Sequence, residues 1–249
     1  HSSPLNNPRI WMRMSLPVAI IPARGGSRRI PRKNLRSLAG VPLVARAIDV
    51  LERSKSFEMT VVSTDDEAIA KVATDHGARI LGLREPSLSG DHVPTLPVIQ
   101  DSIHQIERLR NITVDAVVVA YPAAALATPA DVVRGLELLS TSGTDAVISV
   151  GEFPHPVQRA LEIDSYGFAR FVSPEHFGSR TQDLPPRFFD AGQLYFGHRS
   201  YWMNRDTMPS VNLRLLQLPG WAAVDIDTEE DWARAEIAIR YRQAQGTQL

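Results

Sequence analysis

Val18-Ala19-Ile20-Ile21-Pro22-Ala23-Arg24-Gly25-Gly26-Ser27-Arg28-Arg29-Ile30-Pro31-Arg32-Lys33-Asn34 is the stretch from which the rest of the chain can be read. Its first five residues form a short apolar run that predicts a strand, and the run ends in a turn rich in glycine and basic residues. From Pro42 to Leu51 apolar residues recur at helical spacing, so the unit is strand, loop, helix. Two adjacent glycines let a backbone approach an anion and turn its N–H groups inward. Arg24, Arg28, Arg29, Arg32 and Lys33 can together neutralise a triphosphate of about four negative charges. The glycine spacing is neither that of a P-loop nor GxGxxG, which points to a different phosphate cradle. A surface turn of merely solvated cations would leave the glycine pair and its position after the first strand unexplained.

The same alternation continues outward. Met59-Thr60-Val61-Val62-Ser63 predicts a second strand, and Thr64-Asp65-Asp66-Glu67 supplies an N-cap and acidic first turn for a helix through Ala73. Ala78 to Leu81 reads as a short strand, Pro97 to Leu109 as a helix, and Asp115 to Ala120 as a strand apolar on both faces. Asp131 to Leu139 and Ala146 to Val150 add one more helix and strand. This order predicts an α/β fold with a doubly wound, mostly parallel sheet, whose ligands bind beyond the carboxyl ends of the strands. From Gly151 to about Arg187 the rhythm breaks. Pro154, Pro156, Pro174, Pro185 and Pro186 separate strand-like pieces such as Phe168 to Val172, so an inserted β-rich lobe or dimerisation arm is expected at about 151–187. Gln193 to Phe196 and Trp221 to Ile226 are then read as strands, and Glu229 to about Gln243 as a closing amphipathic helix.

Composition narrows the function classes. The chain has 249 residues, 43% of them hydrophobic, enough for one long domain or a domain with an insertion. With 27 basic and 28 acidic residues the net charge is −1, so nothing global draws the chain to nucleic acid or an anionic membrane, and any anion site must be local. A nucleic-acid module built on Arg28, Arg29, Arg32, Lys33 and Arg36 would lack interleaved aromatics. There is no cysteine, which removes disulfides, thiolate nucleophiles and Cys-ligated zinc and is compatible with a cytoplasmic location. No apolar run suits a membrane span. Residues 1–16 read as a loose arm or tag remnant rather than a signal peptide, with Met12 or Met14 as candidate starts. His76, His92, His104, His155, His176 and His198 show no zinc spacing, and no GxSxG elbow exists.

Two further groups could carry chemistry. Asp225 and Asp227, one residue apart in Val224-Asp225-Ile226-Asp227-Thr228-Glu229, would share one face of a strand and could grip a hard cation such as Mg²⁺, although the same pattern also suits a helix cap. Arg180-Thr181-Gln182-Asp183-Leu184-Pro185 and Asp190-Ala191-Gly192-Gln193-Leu194-Tyr195 bring side chains of both charge types beside prolines and a glycine, a set suited to a polyhydroxylated acid.

At this point the residues resemble a family. Ile21 to Ser27 with Lys33-Asn34 looks like the signature loop of the CMP-sialic acid synthetases, and the similarity extends through Val62 to Asp66, Arg180 to Pro185, Gly192 with Tyr195, and Asp225 to Glu229. Phe153-Pro154-His155-Pro156-Val157-Gln158-Arg159-Ala160-Leu161 and Asp190 to Gln193 are most similar to the pseudaminic acid cytidylyltransferases. The resemblance implies a cytidylyltransferase domain over 17–249, joining CMP from CTP to an acidic nine-carbon sugar and releasing pyrophosphate. It also implies Mg²⁺ dependence and a homodimer in which one subunit's lobe helps close the other's site. Sialic or legionaminic acid is the alternative substrate, and an inactive nucleotide-sugar binder the non-enzyme alternative. Carried over by position, Ala23, Arg24, Gly25, Gly26, Ser27, Lys33 and Asn34 would hold CTP, with Arg84, Asp91 and Thr95 nearby. Asp225 and Asp227 would hold Mg²⁺. Gln158, Arg159, Arg180, Gln182, Asp183, Gln193 and Tyr195 would read the sugar. Lys33 and Arg24, with the two aspartates, would carry the catalytic charge stabilisation. Tyr121-Pro122-Ala123-Ala124-Ala125 departs from the family, which commonly has a hydroxyl here.

Overall fold

The structure is a computed structural model that describes residues 17–27, 29–90, 92–204 and 211–244. Strand β1 (Val18–Pro22) leads through the glycine-rich loop to the short hairpin of β2 (Ser37–Leu38) and β3 (Val41–Pro42), and then into helix α1 (Leu43–Ser54). Strand β4 (Met59–Ser63) and helix α2 (Glu67–Asp75) repeat the unit. Asp66 caps α2 by accepting from the backbone N–H groups of Ala68 and Ile69. Helix α3 (Thr95–Arg110), β5 (Ala116–Ala120), α4 (Pro129–Leu139) and β6 (Ala146–Glu152) follow, α4 opening on a Thr128/Asp131 capping box. After the small antiparallel pair β7 (Leu161–Ile163) and β8 (Ala169–Phe171) come β9 (Phe188–His198), α5 (Arg199–Asn204), β10 (Leu213–Gln217) and α6 (Glu229–Ala244).

The six-stranded sheet has the order β10-β6-β9-β5-β1-β4. All neighbours pair in parallel except β9, which runs against both β5 and β6 in the middle of the sheet. Alternation along β1 places Ala19 and Ile21 in one core with Leu43 and Ile48 of α1 and Trp232 of α6. Val18 and Ile20 enter a second core with Ile99, Ile103 and Ile106 of α3 and Trp202 of α5. A strand covered on both faces has no reason to alternate apolar with polar residues, which is why this one reads as a continuous apolar run.

Two expectations are corrected. Ala78 to Leu81 is not a strand; Arg79 makes a single parallel bridge to Val61, between Gly77 and Gly82, both at positive φ. Trp221 to Ile226 is irregular: Ala222, Ala223 and Ile226 are buried without joining the sheet. The edge position belongs instead to β10, whose Leu213 and Leu215 are exposed, so its sequence lacks the buried-strand signal. Gln193 to Phe196 is indeed strand, but as part of the longer antiparallel β9. Between β6 and β9, residues 153–187 leave Leu161, Ile163, Tyr166, Phe168, Val172 and Phe177 exposed. Among the described residues no helix is long and apolar enough to cross a membrane.

Candidate active site

The glycine-rich loop lies where β1 and β4 end side by side. Ala23 continues the pairing by donating its N–H to the Ser63 carbonyl at 2.9 Å, and Gly25 N–H then donates to Asp65 Oδ1 at 2.8 Å. A Cβ at Gly25 would sit 2.8 Å from Asp66 Oδ2 and 2.9 Å from Asp66 Cβ, so the glycine is required by close packing on the β4–α2 turn. Gly26 is exposed, and a Cβ there would meet nothing within 4 Å. Buried Asn34 donates Nδ2 to the Arg24 carbonyl at 2.9 Å and holds the loop closed from beneath. Arg84 donates to Ser63 Oγ and O at 3.2 and 2.5 Å. Burial pulls its guanidinium below the usual range; Asp65 opposes that shift and Arg24 adds to it.

These groups form one side of a cleft of about 520 Å³ beyond the strand ends. Its lining includes Arg24, Ser27, Arg29, Lys33 and Asn34 from the loop, Arg84, His92 and Thr95 before or at the start of α3, Tyr121 and Pro122 after β5, and Asp227. Arg24, Ser27, Lys33, Asn34, Arg84, Thr95 and Asp227 are thus brought together in one cleft. Ala23 is buried beneath the loop, and Asp91 lies outside the described residues.

The carboxylate side is built differently from the expectation, because Asp225 and Asp227 lie on an irregular segment and not on a strand. Lys33 Nζ donates to the Ile226 carbonyl at 2.7 Å and to Asp227 Oδ1 at 3.1 Å, and Arg29 Nη2 reaches Asp227 Oδ2 at 2.7 Å. Arg36 pairs with Glu229 through 2.6 and 2.8 Å contacts and stacks over Trp232 at 4.4 Å. The basic run is therefore folded against the acidic start of α6. Thr228 and Asp231 form a reciprocal cap there, which is the helix-cap reading of the motif.

Asp225 is an exposed residue whose carboxyl end packs on β9: a Cβ at Gly192, which has φ +66°, would lie 2.8 Å from Asp225 Cγ. That partial desolvation, followed by the charge of Asp227, pushes the Asp225 carboxyl above its ordinary range. Two oxygen-donor carboxylates, Asp225 raised partly by the charge of Asp227, fit a hard divalent cation, which would offset that repulsion. Among the described residues no third His, Cys, Asp or Glu completes a cage, so phosphate oxygens and water would supply the remaining ligands.

The expected sugar-reading residues lie apart from this cleft. Gln158 is buried and donates to the Pro185 carbonyl at 2.8 Å; Arg159 bonds to the Ser179 carbonyl and to Thr181 Oγ1. Both knit the inserted segment together, while Arg180, Gln182 and Asp183 are exposed on it. Gln193 is completely buried, which corrects the expectation that it touches the sugar. Tyr195 donates its hydroxyl to both Asp190 oxygens at 2.8 and 2.9 Å and stands edge-on to the cleft residue Tyr121, centroids 5.6 Å apart. Burial and the Asp190 bond push its phenol upward, so it stays protonated. Ala123, Ala124 and Ala125 are buried in a 3-10 turn, Pro122–Leu126, which Arg242 clamps from α6 by donating to the Leu126 carbonyl at 3.1 Å. The sequence placed Arg29 only in the general basic run and gave no ligand-binding role to Asp65, His92 or Tyr121. The position of Tyr121 after β5 was the one usable signal, since ligands lie beyond carboxyl strand ends.

Comparison with known proteins agrees with this geometry. The family model described as cytidylyltransferase matches residues 18–125. The chain is 34% identical over 223 residues to the pseudaminic acid cytidylyltransferase of Campylobacter jejuni, covering 90% of this chain and 96% of that protein. It is 31% identical to the CMP-N,N'-diacetyllegionaminic acid synthase of Legionella pneumophila, covering 91% and 97%. Among solved structures, a CMP:2-keto-3-deoxy-manno-octonic acid synthetase complexed with CTP superposes with a TM-score of 0.63 at 17% identity, covering 92% of this chain and all of that one, a likeness of fold. With a near full-length relative at 34% identity and a matching family model, the chain belongs to the cytidylyltransferase family that includes the pseudaminic acid cytidylyltransferases.

Proposed function

We propose that the protein transfers CMP from CTP to pseudaminic acid, with release of pyrophosphate, using Mg²⁺. The observation that carries the reading is the meeting of the Arg24–Asn34 loop with Asp227 in one cleft, where cations for a triphosphate adjoin carboxylates for a metal. The relative named for pseudaminic acid is 34% identical and the one named for legionaminic acid 31%, which puts pseudaminic acid first.

Arg24, Arg29 and Lys33 would hold the phosphates and stabilise the charge that grows on the departing pyrophosphate, while Asn34 fixes the loop that presents them. Asp225 and Asp227 would hold Mg²⁺, which polarises the phosphate and acidifies the attacking anomeric hydroxyl. Arg29 and Lys33 must first leave Asp227, so nucleotide entry exchanges their protein carboxylate for phosphate oxygens. Ala123 to Ala125, the departure behind the silent-binder alternative, are buried beneath the cleft rather than lining it.

Arg180, Gln182 and Asp183 stand away from their own chain's cleft, on a segment with exposed Ile163, Phe168 and Phe177. Both facts support a homodimer in which this segment docks on a second copy and completes its sugar site. Dependence on CTP favours a cytoplasmic location.

The test is pyrophosphate release from CTP and Mg²⁺ with pseudaminic, legionaminic and N-acetylneuraminic acid in parallel. Turnover with pseudaminic acid, lost in Asp227→Ala, is expected; tight CTP binding without turnover on any sugar acid rejects the proposal.

A further inference from the structure

Gln193 never reaches the cleft, yet it bonds to Tyr121 of its lining and to the segment that leads to Asp227. Its backbone carbonyl accepts from the Tyr121 N–H at 2.9 Å, and its side-chain Nε2 donates to the carbonyls of Ala222 at 2.5 Å and Val224 at 3.3 Å. The residue sits where β9 departs from regular pairing with β6; the register shifts between Ile148 and Val150, and Ser149 Oγ accepts the Leu194 N–H at 2.9 Å. Gly192, one residue earlier, leaves the space that the Asp225 carboxyl occupies.

We infer that Gln193 is the positioning residue for the Asp225–Asp227 pair, fixing the irregular 222–224 segment from which the pair extends. An amide turned the other way would set its oxygen against two carbonyl oxygens, so the orientation is determined. Its Oε1 is buried with no hydrogen-bond partner among the described residues, a cost that an apolar side chain of similar size would avoid. What the amide provides in return is the grip on Ala222 and Val224. The Ala222 carbonyl also accepts the Val224 N–H at 2.9 Å, so the amide is its second donor; the Val224 carbonyl, which no sheet ladder reaches, has the amide as its one hydrogen-bond donor among the described residues.

The inference rests on the proposed metal role of the pair, and the test separates the two. Mn²⁺ binding is followed through the electron-paramagnetic signal of the free ion, with metal-free CTP binding followed by calorimetry, in wild type, Gln193→Leu, Gln193→Met and Asp227→Ala. Loss of a group that orients metal ligands weakens metal binding about 10- to 100-fold. We expect that loss in both Gln193 variants, with metal-free CTP binding retained because the loop stays held by Asp65 and Asn34, which the substitution leaves in place. Unchanged Mn²⁺ affinity in a folded Gln193 variant overturns the inference while leaving the metal site intact. Unchanged affinity in Asp227→Ala overturns the metal reading and the inference with it. Should neither Gln193 variant fold, deuterium exchange on the wild type decides: Mn²⁺ should slow residues 222–228 and 192–195 together, and protection confined to 225–228 would overturn it.

Discussion

Asp227 is held by the two cations that the proposed reaction needs elsewhere, and releasing them has a measurable consequence. Arg29 Nη2 lies 2.7 Å from Asp227 Oδ2 with its side chain 66% exposed; Lys33 Nζ lies 3.1 Å from Oδ1 and is 21% exposed. Asp227→Asn keeps the shape and removes the charge. Taking the solvent-exposed Arg29 pair at about 0.5 kcal/mol and the more enclosed Lys33 pair at about 1 kcal/mol, wild type must give up about 1.5 kcal/mol before both cations can meet phosphate. In the variant that cost is absent, so metal-free CTP should bind about tenfold more tightly. The Lys33 bond to the Ile226 carbonyl survives and keeps the ammonium at the cleft. The gain should shrink as salt is added. Turnover with Mg²⁺ should move the other way, falling about 100-fold or more as transition-state charge stabilisation is lost. Calorimetry in chelator and a pyrophosphate assay read the two effects separately. Equal or weaker metal-free binding of CTP by Asp227→Asn would refute the exchange of carboxylate for phosphate.

Other outcomes follow from the same geometry. Gly25→Ala forces a Cβ against Asp66, costs about 1–3 kcal/mol of stability and pulls the loop from Asp65; CTP titration should show weakened binding, and unchanged affinity would exclude the close-packing argument. The Asp225 carboxyl is raised in the folded chain, which therefore holds this proton more tightly than the unfolded chain and loses stability as pH rises through the raised value. Between about pH 4 and pH 8 in chelator, the melting temperature of Asp225→Asn should fall less than that of wild type, and Mg²⁺ should close the gap by stabilising wild type alone. Phe168→Glu, on the exposed face of residues 153–187, should yield a monomer by light scattering that binds CTP but turns over poorly; an active monomer would rule out a shared sugar site.

The first strand and its loop were legible in sequence because both of their signals are local. A strand buried on both faces needs a continuous apolar run, as Val18 to Ile21 shows, and a backbone cradle needs glycine among cations, as Arg24 to Lys33 shows. The cap at the start of α2 was legible for the same reason: Asp66 bonds to groups within a few residues. What sequence could not supply was position across long separations. Nothing local distinguishes β9, antiparallel at the sheet's centre, from a sixth parallel strand, or marks exposed β10 as an edge while Trp221 to Ile226, with Ala222, Ala223 and Ile226 buried, stays out of the sheet. Burial alone records that a side chain is covered; hydrogen-bond pairing depends on which backbone arrives beside it. Gln193 illustrates the limit most clearly. Its residue type and motif suggested a sugar contact, and only the tertiary structure, by setting the carbonyls of Ala222 and Val224 beside it, turned the amide inward toward the segment that carries the carboxylates.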